Sequence, residues 1–123
     1  MKLTEANKKC LKRIVNELAV LKKYSSYDDF FDNSPLLEQA ILYTAAWYGG
    51  NSMSASKLQA DAPDEYKRAK WIYERAVNQN TFRVRENTTN INKLAQLGYI
   101  EIVRGINNSR CCELIKVLKE EAE

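Results

Sequence analysis

Apolar residues recur at helical spacing over much of the chain. Between Thr4 and about Tyr24 they lie three and four positions apart, which predicts an amphipathic helix; they are Leu11, Ile14, Val15, Leu18 and Leu21. Similar spacing predicts three further helices, over residues 35–48, 54–60 and 63–77. The connection 25–34 carries three aromatic residues, which we expect to fold back on the core: Tyr27, Phe30 and Phe31.

The pattern changes in the last third of the chain. Residues 87–97 keep helical spacing and are followed by Gly98, a residue type that commonly ends helices. Residues 99–104 and 110–117 are rich in β-branched and alternating residues, and a turn cluster, Gly105 to Ser109, separates them. The sequence therefore predicts a helix, a tight stop and a two-stranded hairpin with a polar, basic tip.

The segment from Thr81 to Glu86 allows two interpretations. Its alternation favours a short strand, but Val84, Thr88 and Ile91 also lie at helical spacing. The helix before Gly98 then begins either near Phe82 or at Asn87. In both cases we expect Phe82 and Val84 to anchor the segment and Arg83 and Arg85 to face outward.

The order helix, glycine, hairpin resembles the second half of a winged-helix DNA-binding domain. The phrase KLAQLGYI, residues 93–100, is similar to the helix-to-wing junction of bacterial regulators of the MarR and GntR types. Asn108, Ser109 and Arg110, with Leu114 and Ile115 after them, are similar to a MarR-type wing return. Those wings usually carry Asp where this chain has Asn108. The resemblance covers residues 87–117.

The resemblance implies a mainly α fold with a small β-hairpin, a winged helix-turn-helix with an additional N-terminal helix. We expect one domain over residues 1–123. Its parts are an N-terminal helix and connection (1–33), a winged-helix core (34–117) and a short acidic tail (118–123). Helix 63–77 is either the helix that precedes the recognition helix, which we prefer, or an insertion.

Charge is concentrated on the same motif. The whole chain has 19 basic and 16 acidic residues, a net charge of +3. Residues 82–116 contain six basic and three acidic residues, so this stretch alone carries an excess of three positive charges. Basic residues concentrated on one motif are stronger evidence for nucleic-acid binding than the net charge of the whole chain.

The helix over residues 87–97 is rich in Asn, Thr and Gln, which can hydrogen-bond to base edges in the major groove. The alternative is an amide-rich helix start whose residues serve as caps. Arg110 either meets DNA or packs against a carboxylate at the base of the wing. The predicted DNA-binding residues are Arg83, Arg85, Asn87, Thr88, Thr89, Asn90, Asn92, Lys93, Arg104, Asn107, Asn108 and Arg110.

Catalysis is not expected. The chain has no histidine, and its three cysteines (Cys10, Cys111 and Cys112) lack the spacing of metal ligands. Asp28, Asp29 and Asp32 have no partner base, and Gly49–Gly50 is not a phosphate-binding loop. We therefore expect no enzyme activity, no metal and no other cofactor.

These observations together predict a transcriptional regulator that binds double-stranded DNA as a homodimer. Resemblance to MarR-type proteins implies dimerisation through the N-terminal helix, by Leu11, Ile14, Leu18 and Leu21; the alternatives are packing within the domain or phosphate contacts by its lysines. We expect a cytoplasmic, nucleoid-associated protein with no membrane span and no small-molecule effector. The alternative function is a winged-helix protein-interaction module in a replication, phage or plasmid complex.

Overall fold

The computed structural model describes residues 3–35, 54–104 and 112–121. Within these ranges the chain is mainly helical and carries one small three-stranded antiparallel sheet. The elements in chain order are α1 (Glu5–Lys22), α2 (Tyr27–Asn33), α3 (Ala55–Asp61), α4 (Pro63–Gln79), β1 (Thr81–Arg85), α5 (Thr88–Gln96), β2 (Ile100–Arg104) and β3 (Cys112–Val117). The helix predicted over residues 35–48 lies outside the described residues from position 36 onward.

Helix α1 forms as its sequence predicts, and its apolar stripe is core. Thr4 and Asn7 make a capping box, in which each side chain accepts a hydrogen bond of 3.1 Å from the other residue's backbone N–H. The apolar side chains are at most 2% exposed: Leu11, Ile14, Leu18 and Leu21. Because they are buried within the single chain, their assignment to a dimer interface is corrected in favour of packing within the domain. Association of two copies through other residues stays a prediction.

The segment predicted as a connection contains helix α2. Ser26 caps it by accepting a hydrogen bond of 3.1 Å from the Asp29 N–H. Tyr27, Phe30 and Phe31 are 2% exposed or less, so their predicted return to the core is confirmed. Seven residues are too few to show a clear helical period, which is why the pattern revealed the burial but not the helix.

Aromatic residues join α2 to α4, and α4 to α1. Phe30 and Tyr73 lie with ring centroids 5.1 Å apart, and Tyr27 meets Tyr66 edge-on at 5.7 Å. The Tyr73 hydroxyl donates a buried hydrogen bond of 2.8 Å to the Leu21 carbonyl, near the end of α1. Helix α4 is therefore fixed against α1 and α2 before the chain turns into the sheet.

Asn80 makes the turn from α4 into β1. Its backbone is left-handed, with φ of 54°, which Asn tolerates better than most residues. Its carbonyl accepts a hydrogen bond of 2.9 Å from the Val117 N–H, and its side-chain oxygen accepts one of 2.6 Å from Lys22 Nζ. The ambiguous segment that follows is a strand, so helix α5 begins after Asn87 and not near Phe82.

The sheet has the strand order β1-β3-β2. Phe82 of β1 and Ile102 of β2 both pair with Ile115 of β3, and Arg83 pairs with Leu114. The face that carries Phe82 and Val84 packs into the core, which confirms both as anchors. The predicted hairpin thus gains a third strand, because β1 adds to β3. Strand β1 also separates α4 from α5, so these two helices are not joined by a simple turn.

Gly98 lets the chain leave α5 and enter β2. Its φ is +84°, a left-handed conformation. The N–H of the next residue, Tyr99, donates a hydrogen bond of 2.9 Å to the Leu94 carbonyl. A Cβ at this position meets no atom within 4 Å, so backbone strain alone limits substitution.

We predict that Gly98→Ala lowers the free energy of unfolding by about 1–2 kcal/mol, because an L-residue is strained in this conformation. Gly98→Asn is the matched control and should cost less, since Asn visits the left-handed region more readily. Urea denaturation of the three proteins measures both effects. Equal stability of the Ala and Asn variants would contradict the assignment of the loss to backbone strain.

Candidate nucleic-acid interface

Helix α5 is fixed to the core by one side and capped by Asn87. Ile91 and Leu94 are fully buried. The Asn87 side chain accepts a hydrogen bond of 2.8 Å from the Thr89 N–H. Asn87, one of the predicted DNA-binding residues, therefore acts as a helix cap in this structure. The first turn contains no acidic residue, so the positive end of the helix dipole is not offset there.

The opposite side of α5 faces solvent and is polar. Thr89, Asn92 and Gln96 are exposed, and Lys93 between them is half-buried. These positions are three and four residues apart, so they form one line along the helix. We call Thr89, Asn92, Lys93 and Gln96 the outer stripe. Thr88 is exposed as well, at the start of the helix.

A shallow groove of about 450 Å³ runs beside the outer stripe. The start of α1 forms its other wall through Thr4 and Asn7. Asn7 is 4% exposed and donates a hydrogen bond of 2.9 Å from its Nδ2 to Asn90 Oδ1. Asn90 therefore holds α5 against α1, and its carbonyl oxygen is already engaged. Sequence patterns did not identify Thr4 and Asn7 with this surface, because nothing local indicates that α1 and α5 pack together.

An ion pair fixes the approach to α5. Arg13 of α1 donates hydrogen bonds from two nitrogens to the carboxylate of Glu86, which lies just before α5. The Nε–Oε2 distance is 3.0 Å and the Nη2–Oε1 distance is 2.7 Å. The Glu86 side chain is 10% exposed, so this two-point contact is partly shielded from water. Together with the Asn7–Asn90 bond, it sets the position of α5 relative to α1.

Two further groups surround this ion pair. Burial, then the charge and hydrogen bond of Glu86, raise the pKa of the Cys10 thiol to about 12. The thiol therefore stays protonated at neutral pH and is a poor nucleophile. Burial and the neighbouring Glu86 charge raise the pKa of Glu17 to about 7, although Arg13 lowers it.

The two predicted arginines of β1 lie on the face of the strand that points away from the core. Residues of a strand alternate between its faces, so Arg83 and Arg85 both lie opposite to Phe82 and Val84. Arg83 is half-buried, and Arg85, at the end of β1 nearer to α5 along the chain, is exposed. The other predicted contacts are those of the hairpin. The Arg104 side chain, Asn107, Asn108 and Arg110 lie outside the described residues, as does Cys111.

The three clustered aspartates have structural partners. Asp28 accepts a hydrogen bond of 2.6 Å from the Tyr66 hydroxyl. Asp29 accepts bonds from the Ser25 N–H and from Asn33 Nδ2, and these contacts lower its pKa. Asp32 accepts a bond of 2.8 Å from the Ala55 N–H, at the start of α3. Asp28 and Asp32 thus join α2 to α4 and α3, whereas Asp29 stabilises α2 itself.

Comparisons with known proteins do not identify the chain: no family model, no curated protein and no solved structure matches it. None of the helices in the described ranges combines the length and hydrophobicity needed to cross a lipid bilayer.

The raised pKa of Glu17 predicts how the stability of the folded chain depends on pH. Its pKa is higher in the folded chain than the usual value of 4.5, so the folded state binds the proton more tightly. The stability that this proton adds is present below pH 4.5 and is lost as pH rises through about 7. Glu17→Gln keeps the shape and stays uncharged, so it should be more stable than the natural chain at pH 8, by about 1–3 kcal/mol.

Denaturation at pH 5 and pH 8 measures this effect. The chain lacks histidine, which removes the commonest competing titration in this interval. Glu5→Gln is the matched control, because the Glu5 side chain is 82% exposed. Equal losses of stability in the natural chain and in Glu17→Gln between the two pH values would refute the role given to Glu17.

Proposed function

We propose that this chain binds duplex DNA through α5, as a transcriptional regulator, and that the outer stripe enters the major groove. The observation that carries the proposal is the outer stripe itself, the exposed Thr89, Asn92 and Gln96 with the half-buried Lys93, on a helix fixed to the core. An α-helix fits the width of the major groove, and nine residues span about 13 Å, enough to cross several base pairs.

The side chains of the outer stripe are better suited to hydrogen bonds with base edges than to a helix face that only contacts water. Asn and Gln can each make two hydrogen bonds to adenine, and the Thr methyl can meet a thymine methyl. Lys93 provides a positive charge for contact with a phosphate. Such a contact positions a protein on DNA without reading the base sequence. The surface therefore combines groups for recognition with a group for affinity.

The support around α5 also favours recognition. Reading a base edge needs side chains held at a defined distance from the duplex, so the helix that carries them must not move freely. The Arg13–Glu86 ion pair and the Asn7–Asn90 hydrogen bond restrain α5 from the α1 side. Under this proposal the stretch between β2 and β3 is the wing, and it meets the minor groove or the phosphates beside α5.

Lys93→Ala should weaken binding to random-sequence duplex DNA and reduce the slope of log affinity against log salt by about 1. The reason is that one phosphate contact, with its released counterion, is lost. Fluorescence anisotropy over a salt series measures both quantities. Lys57→Ala is the matched control: it removes the same charge from α3, which packs on α2 and α4. Equal effects of the two variants would exclude a local contact by Lys93.

Asn92→Ala should instead relax sequence preference. After a binding site has been selected from a random duplex library, we expect the variant to lose discrimination at one base pair, by about 1–3 kcal/mol, with the salt slope unchanged. Asn78→Ala is the control, because Asn78 is an exposed amide on α4. A uniform loss of affinity for every sequence would mean that Asn92 does not read a base.

One observation favours a protein-interaction module as the second candidate. Lys93 is the only charged residue among those that line the groove beside α5 in the described part of the chain. Such a surface also suits an amide-rich or backbone contact with a protein. Absence of DNA binding even at low salt would favour this function over the first.

A further inference from the structure

A second basic surface lies away from the outer stripe. It consists of Trp71 and Arg75 of α4 and Arg83 of β1. The buried side of α4 carries Tyr66, Ala69, Tyr73 and Ala76, and Trp71 faces away from it, with 58% of its surface exposed. Arg83 lies on the face of β1 opposite to Phe82 and Val84, whereas Ile91 and Leu94 of α5 belong to the core that these two residues join.

Arg75 is held on the tryptophan ring. Its guanidinium carbon lies 4.4 Å from the centroid of Trp71, four residues earlier on the same helix. This cation–π contact orients the planar guanidinium, and planar donors of fixed direction suit phosphate oxygens. Trp71 in turn keeps much of its surface in solvent.

The two arginines carry hydrogen-bonding capacity that the fold leaves unused. Arg75 Nε and Arg83 Nη1 are both buried atoms with no hydrogen-bond partner. Burial and the charge of Arg83 lower the pKa of Arg75, so the two cations repel each other across a partly desolvated space. Within the described ranges neither guanidinium forms an ion pair. An anion bound beside the two guanidiniums would offset this repulsion.

We propose that Trp71, Arg75 and Arg83 bind single-stranded nucleic acid, the arginines at a backbone phosphate and the tryptophan beneath a base. The arrangement matches the two requirements of such sites, positive charge along the backbone and an aromatic surface for stacking. Trp71 supplies the exposed ring, and the half-buried guanidiniums of Arg75 and Arg83 supply the positive charge for a phosphate. This site goes beyond the proposed duplex function and does not depend on it.

Fluorescence of Trp71 reports stacking directly. The chain has two tryptophans, so Trp47→Phe leaves Trp71 as the only one. Titration of this variant with oligothymidylate should quench the emission, because the base stacks on the indole. Tripolyphosphate carries the charge without a base, and it should compete with the oligonucleotide without producing the same quenching. Quenching that is equal for both compounds, or absent for both, would overturn the proposal.

Anisotropy of labelled oligothymidylate tests the three residues separately. Trp71→Ala, Arg75→Ala and Arg83→Ala should each weaken binding about tenfold. Arg75→Lys and Arg83→Lys keep the charge but lose the planar fork, so they should recover only part of the affinity. Lys57→Ala is the control for loss of one positive charge. Unchanged affinity in the folded alanine variants would overturn the site.

Different results would refute the duplex-binding proposal and the single-strand proposal. Loss of duplex binding in Lys93→Ala reports on the outer stripe, and loss of oligothymidylate binding in Trp71→Ala reports on the second surface. A chain that binds oligothymidylate through Trp71 but no duplex would retain this inference and lose the proposed function. A chain that binds duplex DNA with Trp71 emission unchanged by oligothymidylate would do the reverse.

Discussion

Burial of the apolar stripe of α1 is the interaction on which the rest of the described structure depends. Leu11, Ile14, Leu18 and Leu21 belong to the same core cluster as the α2 rings, the buried side of α4, the inner face of the sheet and Ile91 and Leu94 of α5. Truncating a buried leucine to alanine typically costs 2–5 kcal/mol in a close-packed interior. A change in α1 would therefore disturb both candidate surfaces, although neither one lies on that stripe.

Polar contacts around this core decide where the candidate surfaces face. Asn7 and Arg13 of α1 hold the start of α5, while Asn80 joins the end of α4 to β1. Burial alone leaves a helix free to slide or rotate by small amounts, because the hydrophobic effect has no direction. The directional bonds remove that freedom, so the outer stripe and the Trp71 surface are each presented in one orientation.

Local pattern predicted most of the elements but less of their arrangement. Helices α1, α3, α4 and α5 and strands β2 and β3 follow from spacing and from caps such as Pro63 and Gly98, and these predictions are confirmed within the described ranges. The pattern alone did not decide between a strand and a helix for β1, because β1 forms as a strand by pairing with β3, which lies far away in the sequence. For the same reason the stripe of α1 did not reveal whether it packs within the chain or on a second copy.

The candidate sites differ in how far the sequence could lead to them. The amides and Lys93 of α5 are adjacent in sequence, so composition alone indicated that surface. Trp71, Arg75 and Arg83 belong to two elements, and only the turn at Asn80 and the alternation of β1 bring them together. Arg83 therefore looked from the sequence like a partner of α5, whereas the sheet directs it to the other face. When a basic residue lies on a strand, the face of that strand, and not its distance along the chain, determines which ligand it can meet.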